Sequence, residues 1–296
     1  MQLPNVDTRT VRAADGRELM LELGGDPDGQ PIVVLNGTPN SRHLYRPWLE
    51  DAEQHQIRLI GYDRPGYGGS TAQPGRSVAD CAEDVRAIAR TLDLPRILVW
   101  GASGGGPHAL ACAALLPDLV AAVSALCSIA PYDAPGLDYF TGMGEANADE
   151  IKLYLRDPAA SREKSREDRL EVLRRTPEQV VDAWKTLLSP VDAAVATGDL
   201  AAWLVRCGTD GLATTDEGWW EDGVAHLSPW GFDLEAIAMP VQVWHGRHDR
   251  FVPFQHGEWL AAHVPGAEAH LSDTDGHLTL FNRIPEVHRW LTRQLS

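Results

Sequence analysis

Ile97-Leu98-Val99-Trp100-Gly101-Ala102-Ser103-Gly104-Gly105 is the stretch that decides the fold. An apolar run rich in β-formers drives directly into Gly-x-Ser-x-Gly. Pro107-His108-Ala109-Leu110-Ala111-Cys112-Ala113 then reads as a helix. Strand, tight turn, helix is the setting in which this pattern becomes a nucleophile elbow, with the serine held at the tip in strained backbone angles. Bulky side chains two residues to either side would collide across such a turn, and Gly101 and Gly105 remove that clash. The bare pattern arises by chance in roughly one chain in ten of this length, so the flanking strand and helix carry the reading. A dinucleotide loop does not fit, because the glycines of 101–106 lack Gly-x-Gly-x-x-Gly spacing and follow a late strand.

Outward from this elbow the chain alternates. Residues 8–23 read as a hairpin through Asp15-Gly16. Ile32-Val33-Val34-Leu35 and Ile57-Arg58-Leu59-Ile60 read as strands buried on both faces, with a helix expected at 42–55 between them. Ser77 is expected to cap a helix whose Val78, Val85, Ile88 and Leu92 share one face, with Asp80 in its first turn. A strand at 120–128 follows the elbow helix. Near Pro131 the alternation stops, and up to about Ala225 only helical signals occur. Thr176-Pro177-Glu178-Gln179 is a capping box, and Ser189-Pro190 repeats the cap-then-proline start. Residues 161–175 are highly charged, a solvated helix face with Leu170 and Leu173 as its apolar anchors. The alternation resumes with a strand at 241–245, a helix at 256–264, a strand at 267–272 and a final helix from about 279. The expected architecture is α/β, with a mainly parallel sheet of eight strands and helices on both faces. Its core is residues 1–132 and 227–296, and 133–226 form a helical cap insertion.

The 296 residues are 44% hydrophobic, ample for a large core. A net charge of −16 argues against nucleic acid and anionic membrane as partners and leaves a small-molecule substrate. Composition says nothing of oligomeric state. Cys81, Cys112, Cys127 and Cys207 lie in apolar surroundings without a Cys-x-x-Cys pair. They read as small buried hydrophobes in a reducing, cytoplasmic compartment. Residues 1–7 lack the basic and apolar regions of a signal peptide, and no apolar run is long enough to span a bilayer.

A serine hydroxyl needs a base to take its proton and a group to orient that base. Candidates follow in the order Ser, acid, His. Asp249 comes after the strand at 241–245, and His277 after the strand at 267–272. Both fall at carboxyl ends of strands, where open α/β sheets bind ligands. With these residues, Asn36-Gly37-Thr38-Pro39 and Asp63-Arg64-Pro65-Gly66-Tyr67-Gly68-Gly69-Ser70 make the chain resemble the α/β-hydrolase superfamily, in its capped, serine-esterase-like branch. The first segment resembles the family's His-Gly-x-Pro oxyanion loop, the second its Asp-x-Arg-Gly-x-Gly-x-Ser turn. The resemblance implies Ser103 as nucleophile, His277 as base and Asp249 as orienting acid. It also implies an oxyanion hole from the backbone amides of Thr38 and Gly104, a donor type worth about 3–4 kcal/mol each.

The chain departs from the family twice. Asn36 replaces the oxyanion-loop histidine, with a different loop shape expected. Gly104 follows the serine where many relatives have Met, implying a roomier site or a less rigid loop. Asp133 is a fallback acid, Asp63 a structural turn residue, and His108 a residue packed beneath the elbow. His245 and His248 lack a third ligand, so no metal is expected. Asn36, Phe140, Met143, Trp184, Trp203, Trp219 and Trp220 are candidate substrate contacts, suited to an apolar or aromatic group. The expected activity is ester cleavage through an acyl-enzyme, without cofactor, rising with pH through about 6–7, the range of an ordinary imidazole. Amide, lactone and carbon–carbon hydrolysis, acyl transfer and cofactor-free perhydrolysis share the same triad. A ligand receptor on this fold is the rival from another class.

Overall fold

The computed structural model describes residues 6–295. Most of the segment read as lacking a targeting signal, residues 1–5, lies outside the described residues. β1 (Asp7–Arg12) and β2 (Glu18–Gly25) pair antiparallel, with Gly16 at φ +92° in the turn between them. Then follow β3 (Gln30–Leu35), α1 (Arg46–Gln54), β4 (Ile57–Tyr62), α2 (Cys81–Thr91), β5 (Ile97–Ala102), α3 (Gly105–Leu115) and β6 (Val120–Leu126). Between residues 127 and 240 the described elements are all helical: α4 (Glu145–Arg156), α5 (Pro158–Val172), a 3-10 turn (Pro177–Gln179), α6 (Val180–Ala183), α7 (Pro190–Val195), α8 (Gly198–Gly211), α9 (Glu217–Leu227) and a second 3-10 turn (Leu234–Ala236). The chain ends with β7 (Val241–Gly246), α10 (Phe254–His263), β8 (Glu268–Ser272), a 3-10 turn (Thr279–Arg283) and α11 (Ile284–Arg293).

The eight strands form one sheet in the order β1-β2-β4-β3-β5-β6-β7-β8, parallel from β4 to β8. Residue alternation splits the core across it. Val33, Leu35 and Val99 pack with α2, α3 and α10 on one face. Ile32, Val34, Leu98 and Trp100 pack with α1 and α11 on the other. On this second face α8 reaches the core, where Trp203 meets Trp48 edge to face at 5.0 Å. No helix among the described residues is long and apolar enough to cross a membrane.

Three local expectations shift. α1 begins at Arg46, not 42, because the preceding backbone is engaged elsewhere. Asp63 Oδ1 accepts from Arg42 N at 2.7 Å, and Glu22 Oε1 from Leu44 N at 2.8 Å. Ser77 does not cap α2, because its N–H and its hydroxyl both donate to Asp80 Oδ2, each at 2.7 Å, and the helix starts at Cys81. Leu170 is 45% exposed and anchors nothing. α5 is instead tied down through Arg162, which pairs with Asp216 and Glu217, and Ser165, whose hydroxyl donates to Asp216 at 2.9 Å.

Candidate active site

Ser103 leaves the end of β5 at φ +54°, a conformation few non-glycine residues adopt, and so stands at the tip of the turn into α3. Its N–H donates to Leu126 O on β6, and Gly106 N donates back to Ser103 O, both at 2.9 Å. A Cβ on Gly101 would overlap the Gly105 carbonyl across the turn, as the sequence suggests. One on Gly105 would overlap the carbonyl of Leu35 and lie 2.7 Å from Asn36 O. These obstacles are backbone, so nothing flexible can yield. Gly105→Ala is therefore expected to cost about 1–3 kcal/mol and displace the elbow from the loop after β3. A urea midpoint equal to wild type would contradict this packing.

Asp249 follows β7 and His277 follows β8, so both emerge at the edge of the sheet from which Ser103 emerges. His277 Nδ1 lies 2.7 Å from Asp249 Oδ2. An ionised carboxylate can only accept, so Nδ1 carries the hydrogen and Nε2 is left as the basic nitrogen. Asp249 Oδ1 accepts from Phe251 N and Val252 N, each at 2.9 Å. Burial alone would raise the pKa of Asp249, but His277 and His245 bring it down to about 2. Burial would depress His277, yet the facing Asp249 charge pushes it well above the ordinary imidazole value. The Phe251 ring stacks on the His277 ring at 4.6 Å and fixes its plane.

The fallback acid Asp133 is exposed. His245 is buried with Nε2 donating to Val252 O at 2.9 Å, while His248 is exposed, so the two do not face a common ligand. A different trio gathers: ligand atoms of Cys127, Asp249 and His277 lie within 4.8 Å of one another. His277 Nδ1 and Asp249 are already engaged with each other, which makes this trio a hydrogen-bonding cluster first. Cys127, at φ +40° and fully buried, thus abuts the candidate base, where its sequence context suggested only a small hydrophobe.

The oxyanion-loop candidates are held from beneath. Asn36 Nδ2 donates to Ser41 O at 2.8 Å and His43 O at 3.2 Å, closing the loop on itself. Arg64 donates to the carbonyls of Asn36 and Gly37 and to Thr38 Oγ1. A Cβ on Gly37 would lie 3.6 Å from Ser103 Oγ, so this loop passes close over the elbow. Asp63 is a turn residue, accepting from Arg42 and from Gly69 N. His108 packs beneath the elbow, its Nδ1 donating to Gly104 O at 2.9 Å.

A cavity of about 530 Å³ opens between the sheet edge and the helices that join β6 to β7. Thr38, Ser103 and Gly104 line its floor, and Met143, Trp184, Trp219 and Trp220 its walls. Three expected contacts lie outside it. Asn36 is turned into the loop. Trp203 is buried in the core against Trp48 and Phe281, its indole N–H donating to His43 O at 3.0 Å. Phe140 packs on Tyr139 and beneath Lys152.

A family model described as alpha/beta hydrolase fold matches residues 30–283. The chain belongs to the α/β-hydrolase family. It is 25% identical over 264 residues to AB hydrolase superfamily protein YisY of Bacillus subtilis, covering 88% of this chain and 89% of the relative. It is 28% identical over 253 residues to a non-heme chloroperoxidase of Streptomyces lividans, covering 83% of each. In fold it is similar to a thermophilic esterase from Thermogutta terrifontis, with a TM-score of 0.70 and 21% identity over 98% of this chain and 100% of that one.

Within this α/β-hydrolase, sequence reasoning missed the partners that α7 and α9 supply. Asp192 of α7 accepts from His277 N at 3.0 Å, Leu278 N at 2.8 Å and Thr279 N at 3.2 Å. Asp222 of α9 accepts from Thr38 Oγ1 at 2.6 Å, Tyr67 Oη at 2.9 Å, Arg64 and Arg76. Burial opposes its charge, but the two guanidinium groups hold its pKa well below the usual carboxylate range. The Ser189-Pro190 start was a signal for α7. Nothing in its spacing pointed to the His277 loop.

Proposed function

We propose that this α/β-hydrolase cleaves a carboxylic ester through an acyl-enzyme, with Ser103, His277 and Asp249 as its catalytic residues. The buried His277–Asp249 pair, at the same sheet edge as a serine held at positive φ, carries the reading. His277 Nε2 takes the proton of Ser103 as Oγ attacks the ester carbonyl. The oxyanion is received by the N–H groups of Thr38 and Gly104. Collapse expels the alcohol, protonated by His277. Water, giving its proton to the same nitrogen, then attacks the acyl-serine and releases the acid. Residues 133–226 act as a cap over the site. Its tryptophans and Met143 favour an acyl or alcohol part with apolar or aromatic surface.

The test is intact mass after exposure to a fluorophosphonate, for wild type and Ser103→Ala. One adduct on wild type and none on the variant is the expected result. An unlabelled, folded wild type would overturn the acyl-enzyme reading in favour of a receptor.

A second reading rests on the similarity to a non-heme chloroperoxidase. Hydrogen peroxide in place of water would take the acyl group from Ser103 and leave as a peracid. Peracid formation from ester and peroxide, abolished in Ser103→Ala, distinguishes it from hydrolysis alone.

A further inference from the structure

Gly104 is at once a candidate oxyanion donor and a residue with no side chain to hold it. A glycine has wide backbone freedom, so its geometry must be imposed from outside. Its carbonyl receives two imidazoles: His108 Nδ1 of α3 at 2.9 Å and His226 Nε2 of α9 at 3.0 Å. The space a side chain would take is not empty. A Cβ there would overlap Thr38 Oγ1 and stand 2.9 Å from His226 Cε1. The expected roominess is therefore absent, because Thr38 and His226 of α9 fill the space. One turn earlier on the same face of α9, Asp222 accepts from the Thr38 hydroxyl and from Arg64, which itself grips the carbonyls of Asn36 and Gly37.

We infer that Asp222 and His226 of α9 are positioning residues for the oxyanion hole, Asp222 setting Thr38 and His226 setting Gly104. This rests on the acyl-enzyme reading. The two residues are four apart on one helix, so a single rigid element sets the spacing between both donors. That helix is itself fixed to the core: Gly218 N donates to Gly66 O at 3.2 Å, and a Cβ on Gly218 would lie 2.7 Å from the Gly66 carbonyl carbon. The groups facing the two residues are Arg64, Arg76, Tyr67, Thr38 and His108. Burial, with Arg64 and Arg76 nearby, outweighs Asp222 and the Gly104 carbonyl and brings His226 down to about 4. It is neutral under working conditions and donates through one N–H.

An oxyanion hole acts on the transition state and leaves substrate binding alone. His226→Ala is expected to lower kcat roughly ten- to a hundredfold, less than loss of an oxyanion donor itself, with KM unchanged. Affinity for a trifluoromethyl ketone, which forms a tetrahedral adduct on serine, should fall by the same factor. His226→Gln, which restores a donor, should recover part of both. Thr38→Val keeps the shape and the amide while cutting the link to Asp222, and should show the same split if the alanine variant does not fold. A folded His226→Ala with wild-type kcat, or a kcat loss that the ketone affinity does not follow, overturns the inference. Wild type that hydrolyses no activated ester and takes no fluorophosphonate overturns the acyl-enzyme reading instead.

Discussion

On the acyl-enzyme reading, Asp249→Asn is expected to lower kcat/KM by about 10⁴-fold and to move the acid limb of the pH profile downward. The amide keeps the shape of the carboxylate, but its NH₂ favours the tautomer with hydrogen on Nε2, and the base is lost. The pH shift has its own cause. In wild type the Asp249 charge overcomes burial and raises His277 well above an ordinary imidazole. The protonated ring cannot accept the serine proton, so activity is lost as pH falls through this raised pKa. The wild-type limb therefore lies above about 6.5, higher than the ring type alone would suggest. Without the charge, burial is opposed only by the Cys127 contact, the ring's pKa falls, and the residual activity of the variant persists to lower pH. Measuring kcat/KM between about pH 5 and 10 for both proteins decides the matter. A wild-type limb below the ordinary imidazole value, or an asparagine variant within tenfold of wild type, contradicts these roles.

Asp192→Ala is expected to cost about 3 kcal/mol or more, since each buried donor left without an acceptor costs about 1–3 kcal/mol. Asp192 is fully buried, accepts three consecutive backbone N–H groups from residues 277–279 and also takes the Ser189 hydroxyl at 2.7 Å. The loop it holds carries His277, so the same substitution should cut kcat sharply, although Asp192 touches no reacting atom. Asp192→Asn retains one accepting oxygen and should fall between. Urea unfolding and ester turnover, measured on both variants, test this. An alanine variant with wild-type midpoint and wild-type kcat would show that the loop needs no help from α7.

What was legible in the sequence follows from range. The elbow is a contiguous signal, with strand, glycines and helix within 20 residues, and it specified both the fold and Ser103 as candidate. Asp249 was a candidate because it follows the apolar run of β7, while His277 follows the shorter and more polar Glu268–Ser272 and stood out through the order Ser, acid, His. The other parallel strands were legible through the same kind of apolar run. One miss is local: Ser77 looked like a cap until Asp80, three residues on, took its hydroxyl. The others have a common origin in long-range partners. Gly104 looked like added room until Thr38 and His226 of α9 filled it. Trp203 looked like a cavity wall, but Trp48 and Phe281 hold it in the core. Asp192, Asp222 and His226 sit on helices that carry no periodic hint of their partners, which lie more than 80 residues away.

β6 and β7 lie side by side in the finished sheet, yet residues 127–240 separate them along the chain. On a ribosome adding about 5–20 residues per second, roughly 5–25 s pass between completing one strand and starting the other. Throughout that interval the outer edge of β6, a strand buried along its whole length in the final fold, has no neighbour. A bare apolar edge is a template for the same strand of another nascent chain. Soluble yield of this protein is thus a race between synthesis of Val241 and collision, and a chain cut short before Val241 keeps its adhesive edge for good.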